Sequence, residues 1–423
     1  MNITKYQSSF LSESYTLAQL PNGLKIYVLE KPDYASAYAV FGTKYGSVNI
    51  KFRTDKTKDF IEVPAGIAHF LEHKLFESEE GDAFEKFAQF GAYANAYTSF
   101  DRTGYLFSCT EEFESNLRHL LSFVSDPYFT EETVAKEQGI IGQEIKMYDD
   151  SPDWRVFFNL LTSIYHNHPV RTDIAGTVES IAQITPQLLY DCYNTFYHPS
   201  NMYLCVAGNV KTEEVLRIAE EIITTEGARE IENFVPQEPR EVKDSYCEQQ
   251  LDVAKPLFAF GYKMDPEEST TPKARVATEL LLEVLAGHSS KLYTDLLKEE
   301  LVNPEFSSEH FTGSGYSVIM FSGESASPKL VAQKIKQRVS EMLKEGIDPE
   351  AFKRAKRKNF GQTVMMFNSV EGLSSALTEC AMRGEELFDF EEIYAEVSQE
   401  DLIAVLSQMK EEFTSLSVIN PKE

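Results

Sequence analysis

The chain has 423 residues, enough for two domains of ordinary size, and its 42% hydrophobic and 12% aromatic content supplies large cores. A formal net charge of −27 argues against nucleic acid binding through a basic surface, and with no run of about 20 apolar residues no membrane span is expected. Five scattered cysteines without a CxxC pair argue against a disulfide framework or thiolate metal site and for a reducing, cytoplasmic setting.

The N-terminal stretch MNITKYQSSFLSESYTLAQL lacks a basic region followed by an apolar run, so no secretory signal is expected. GLKIYVLE and SAYAVFGTKYGS then read as strands, rich in Tyr, Val and Phe and bounded by glycine. The next stretch, GIAHFLEHKLFE at residues 66–77, carries His69 and His73 with Glu72 between them. On a helix, positions four apart lie one turn above each other, so two imidazoles face one ion. Glu72 lies about 60° round from His69 on the same side. A zinc ion held by two imidazoles makes a bound water acidic, and a carboxylate within reach takes its proton. The plain alternative is a helix that happens to carry two histidines. Ile67, Leu71 and Leu75 form a core-facing stripe that turns the polar triplet toward a cavity, which favours the metal.

GDAFEKFAQFGA reads as a helix with Phe84, Phe87 and Phe90 recurring every three residues and Gly91 ending it. AYANAYTSFDRTGYLFSCT reads as a hairpin turning at SFDRTG. EEFESNLRHLLSFVSD is an amphipathic helix with Phe113, Leu117, Leu120 and Val124 on one side. AKEQGIIGQEIKMYDD offers two acidic candidates for the further ligand that zinc requires, Glu137 and Glu144. Seven residues apart, they share a helix face but stand about 10 Å apart along the axis. Only one of them can be a direct ligand, spacing does not say which, and a solvated acidic face is the alternative for both. NMYLCVAGNV is a short apolar strand that closes the half.

Residues 226–250 are charged, hold two prolines and keep no apolar period, so they are expected to link a domain at 1–225 to one at 251–423. The second half repeats the first: PLFAFGYKM echoes AYAVFGTKY, and KEGIDPEAFKRAKRKNFGQTVMM overlays SDPYFTEETVAKEQGIIGQEIKM. The expected fold is α+β, two tandem and similar α/β sandwich domains rather than a Rossmann fold.

Taken with HFLEH, the segments LPNGLKIYV, GAYANAYTSFDRTGY, EQGIIGQEIKMYDDSP, HPVRTDIAGTVESI and FYHPSNMYLCVAGNV give the chain a clear likeness. It resembles the pitrilysin/insulinase family of zinc peptidases, the inverzincins whose signature is HxxEH, in their short, half-clamshell branch. It also resembles bacterial proteins linked only by association to modification of translation elongation factor P. The resemblance implies one zinc per chain, ligated by His69, His73 and Glu144. It implies Glu72 as general base and Glu137 as a supporting carboxylate without primary ligation. Asn95 and Ala96 would lie on an edge strand where a peptide substrate pairs as an added strand; read by itself, ANAYTS is an ordinary hairpin arm. The second domain would be the noncatalytic repeat, with Thr363 at the position of Glu144.

One departure stands out. Where the family pattern carries an Arg and a Tyr that steady the substrate carbonyl, this chain has Lys298 and, displaced by one residue from the Tyr position, Phe306; the alternative is that Lys298 substitutes adequately. Lysine makes no bidentate guanidinium contact, and phenylalanine has no hydroxyl for an oxyanion. The expectation is therefore a dimer, preferably a heterodimer whose paralogous subunit supplies the missing pair. The rivals to an endopeptidase are a catalytically weak binding or assembly subunit and a zinc hydrolase acting on a small amide.

Overall fold

Ala37–Thr43 and Met202–Gly208 carry no charged residue and are buried at every position, the pattern of strands covered on both faces. They are neighbours near the middle of a seven-stranded sheet in the computed structural model, which describes residues 1–57, 59–78 and 81–422. From one edge to the other the strands are Asn2–Gln7, Ser14–Gln19, Lys25–Glu30, Met202–Gly208, Ala37–Thr43, Thr103–Cys109 and Tyr93–Thr98. Met202–Gly208 runs parallel to Lys25–Glu30 and antiparallel to Ala37–Thr43. The segment that closes the first half in sequence thus lies inside the sheet.

A second sheet has five strands in the order Tyr246–Leu251, Thr414–Pro421, Leu257–Lys263, Tyr316–Glu324 and Ser307–Gly313. Its one parallel pair and three antiparallel pairs follow the same sequence of directions as the last five strands of the first sheet. The expected duplication is therefore visible as topology. The strand drawn from PLFAFGYKM takes the place of the one drawn from SAYAVFGTKYGS, and the fold is α+β with two separate mixed sheets.

Contacts divide the chain into two units, Met1–Gln143 with Asp173–Phe234 and Val364–Glu391, and Glu144–Thr172 with Val235–Thr363 and Glu392–Glu423. Each sheet is covered by a helix from the other half of the sequence. Val370–Arg383 packs on the first sheet, its Leu373, Leu377 and Ala381 buried with Tyr27, Leu29, Val40 and Ala207. Ser374 fixes the contact by donating to the Cys205 carbonyl at 3.1 Å. Pro152–Ile164 packs on the second sheet through Val156, Phe158, Leu160, Leu161 and Ile164. Each fully buried Leu, Ile or Phe contributes roughly 1.5–3 kcal/mol over an exposed one.

Among the shorter elements, Phe113–Val124 buries Leu117, Leu120 and Val124 as its spacing predicts. The helix expected over GDAFEKFAQFGA spans Ala83–Gln89, with Phe87 buried and Phe84 exposed. A three-residue spacing drifts about 60° per step on an α-helix, so the three phenylalanines do not share one face.

Tyr93–Thr98 and Thr103–Cys109 form the predicted hairpin, in register Thr98 to Thr103. The Arg102 guanidinium ends the turn on the carboxylates of Asp101 and Glu379, the latter carried by the Val370–Arg383 helix. Tyr93–Thr98 is the last strand of its sheet, hydrogen-bonded on one side alone among the described residues.

Candidate metal centre

The Ile67–Leu75 helix starts at Gly66, whose φ of 90° lies in the left-handed region and which no side chain caps. A Cβ here would stand 2.4 Å from the Ala175 carbonyl oxygen, and one at Gly176, φ 75°, would stand 2.5 Å from that of Ala65. Two glycines thus let the backbones cross where a side chain would part them. Ser180 Oγ locks the crossing by donating to the Ala65 carbonyl at 2.8 Å. Ile67, Leu71 and Leu75 are buried as the sequence predicts, but so are Ala68, Phe70 and Lys74, whose ammonium pairs with Glu77. The helix is enclosed nearly all round. Packing therefore holds His69, Glu72 and His73 in place, as a site of set geometry demands.

The rings of His69 and His73 lie 4.6 Å apart between centroids. With Glu144 they form a group whose candidate ligand atoms all lie within 4.8 Å of one another. It is the one such group of histidine, cysteine and acidic side chains among the described residues. Glu144 comes from Glu131–Asp149, a single helix that also carries Glu137 two turns earlier. Glu137 Oε1 stands 3.0 Å from His73 Nδ1. A carboxylate there suits an N–H on Nδ1, the arrangement in which Nε2 would serve a metal. The two acidic candidates, equivalent by spacing, thus occupy different places: Glu144 with the imidazoles, Glu137 behind His73. Two imidazoles and one carboxylate are a donor set that suits zinc and leaves a position open.

Glu72 is nearly buried, and its Oε2 accepts a hydrogen bond from Thr98 Oγ1 at 2.8 Å. Thr98 ends the edge strand and faces Thr103 Oγ1 at 3.4 Å, which itself donates to the Tyr45 carbonyl at 2.9 Å. Deeper in the same core the Tyr105 and Tyr197 hydroxyls meet at 2.9 Å. Burial first, and then the charge of Glu72 among other causes, holds both phenols well above their ordinary pKa, so they stay neutral. On the other carboxylate, Tyr148 donates to Glu144 Oε1 at 2.8 Å.

Asn95 and Ala96 lie in the middle of the edge strand, Asn95 exposed. Thr98 and Tyr148 did not emerge from sequence reasoning. The four-residue spacing from Glu144 to Tyr148 was a readable signal, whereas nothing in YTS marked Thr98 as a partner of Glu72. Lys298 is exposed at the end of the Lys291–Lys298 helix. Phe306 is only 2% exposed and packs among Phe258, Tyr293 and Phe321, so it serves the core of the second unit. Thr363 hydrogen-bonds the Asn359 carbonyl one turn back in its own helix.

Two family models match the chain: insulinase (peptidase family M16) over residues 62–178 and peptidase M16 inactive domain over 183–359. The uncharacterized zinc protease YmfH of Bacillus subtilis is 40% identical over 414 residues, 94% of this chain and 94% of its own. An uncharacterized zinc protease of Rickettsia felis is 25% identical over 98% of this chain and 99% of its own. The crystal structure of an M16-like peptidase from Alicyclobacillus acidocaldarius superposes with a TM-score of 0.92 at 36% identity, over 97% of this chain and 99% of that one. The names of these relatives lend no support to an association with elongation factor P.

Proposed function

The chain belongs to the insulinase family of peptidases, family M16, and from that membership we propose that it is a zinc-dependent endopeptidase acting on peptides or unfolded segments. The observation that carries the reading is the group of His69, His73 and Glu144 within 4.8 Å, with Glu72 on the same helix as the histidines. Bound there, zinc would polarise the scissile carbonyl and make a water acidic at neutral pH.

The chain's own residues do the rest. His69, His73 and Glu144 hold the metal, and Glu137 fixes the ring of His73. Glu72 takes the proton of the attacking water and passes it to the leaving amine. Thr98 holds Oε2 of that carboxylate while the proton moves. Asn95 and Ala96 offer their strand edge to the peptide backbone, a mode of recognition that tolerates many side chains.

In this reading residues 1–225 are the catalytic repeat, 226–250 the connection and 251–423 the noncatalytic repeat, with one zinc per chain. The proposed setting is the reducing cytoplasm, in keeping with five scattered cysteines and no CxxC pair. No helix among the described residues is long and apolar enough to cross a membrane.

The active form is a dimer, preferably with a paralogous subunit that brings an Arg and a Tyr to the substrate carbonyl. Support comes from Lys298, which lacks a guanidinium, and from Phe306, which is committed to a core. The same two residues favour the second reading, a catalytically weak binding or assembly subunit of such a dimer. Metal analysis, a quenched-peptide assay and mass measurement on the purified chain test these statements together. We expect bound zinc in the wild type and loss of most zinc and cleavage in Glu144→Ala. Zinc-free wild-type protein would end the proposal, and a fully active homodimer would end its heterodimer clause.

A further inference from the structure

We infer that Tyr148, braced by Trp154, is a positioning residue that sets Glu144 for the metal; the inference rests on the zinc site proposed above. Glu144 lies on a partly exposed helix face, where a glutamate side chain has several rotamers to choose among. One turn further on, the Tyr148 hydroxyl donates to Oε1 at 2.8 Å. That bond fixes one oxygen of the carboxylate that lies with His69 and His73. A phenol suits the task because it is neutral. It fixes the direction of the carboxylate without cancelling the charge that attracts the cation, as a lysine or arginine would.

The phenol is itself held. Its ring stacks on the indole of Trp154 at 4.5 Å between centroids and 17° between planes. Trp154 in turn leans on Phe158, 5.1 Å away, on the buried side of the Pro152–Ile164 helix. The two helices are separated only by residues 150 and 151, and the second starts with proline at its first position, so little slack lies between ligand and brace. The aromatic ladder thus runs from the core of the second sheet to one oxygen of the third ligand. It has the form of an outer-shell support, here built from rings on the carboxylate where Glu137 serves the imidazole.

The experiment is a zinc titration of the full chain by competition with a chromophoric chelator, with Tyr148→Phe as the variant. That change removes one hydroxyl and leaves the ring stack intact. Zinc affinity is expected to fall about 10- to 100-fold, while the melting temperature of the zinc-free protein stays where it was. The rise in melting temperature produced by a fixed zinc concentration shrinks accordingly. Trp154 is the only tryptophan, so its emission is a second readout: it responds to zinc in the wild type and loses that response in Tyr148→Phe. Trp154→Leu keeps the hydroxyl and removes the brace, and weakens zinc less. A Tyr148→Phe protein that binds zinc as the wild type does overturns the inference while leaving the metal site standing. So does one whose zinc-free form melts early, which would assign Tyr148 to the fold. A wild-type chain that binds no zinc refutes the site and this role with it.

Discussion

Replacing Glu238 by alanine would strand a buried ammonium. Lys263 is 4% exposed and Glu238 11%, with Nζ and Oε1 2.8 Å apart. The same carboxylate accepts the backbone N–H groups of His166, Asn167 and His168 at 2.8, 2.8 and 2.9 Å. Without it, Lys263 keeps the carbonyls of Pro239, Ile164 and Glu241, which satisfy its donors but not its charge. Breaking one side of such a pair costs about 3–5 kcal/mol. At roughly 2–4 °C per kcal/mol for a unit of this size, the second unit should melt about 6–20 °C earlier. Glu238→Gln, which keeps one of the two acceptor oxygens and loses the charge, should cost less than Glu238→Ala.

The pH dependence has a definite sign. Burial alone would raise the Glu238 pKa, but the Lys263 ammonium and the backbone N–H groups hold it below the ordinary carboxylate value. A carboxylate depressed in the folded state contributes stability that is full above its unfolded pKa, about 4.3, and is lost as pH falls through the folded value. Lys263 shifts downward too, burial outweighing its partners. The intact pair is thus worth little net, although breaking it is costly. Calorimetry at neutral pH and near pH 4 should show the gap between wild type and Glu238→Ala narrowing at the acid end. A neutral-pH difference under about 0.5 kcal/mol, within the range of ordinary surface changes, would refute the reasoning.

Thr98→Val should lower kcat about tenfold by freeing Glu72, with zinc content unchanged and Thr98→Ser restoring the rate. Steady-state kinetics beside metal analysis would show it, and an unchanged kcat would deny Thr98 its part. Gly66→Ala should cost at least the ~1–3 kcal/mol of a non-glycine residue held at positive φ, plus the displacement of Ala175. Chemical denaturation would reveal a stability equal to wild type if that crossing were slack.

Much of this architecture could be read from the chain because it is local. The HxxEH spacing set three side chains on one helix, and strand composition found Met202–Gly208 within two residues at each end and Ala37–Thr43 with an overrun of four residues at its C-terminal end. The repeat of PLFAFGYKM on AYAVFGTKY foretold two sheets of one topology. What stayed hidden is non-local. Apolar periodicity shows that Pro152–Ile164 and Val370–Arg383 have a face to bury, but not that each buries it on the sheet of the other half. Helical spacing left Glu137 and Glu144 equivalent, and only tertiary structure placed one at His73 Nδ1 and the other with the imidazoles. Thr98 was hidden for the same reason, since a hydrogen bond between a strand end and a helix 26 residues away leaves no pattern in sequence.

The central claim is that GIAHFLEHKLFE holds both the metal and the base that works beside it. Zinc stoichiometry and quenched-peptide cleavage, measured together on wild type and Glu72→Gln in the assembly that turns over fastest, test it most directly. The account predicts zinc in both proteins and cleavage in the wild type alone. Glu72→Gln protein that cleaves at the wild-type rate would contradict it.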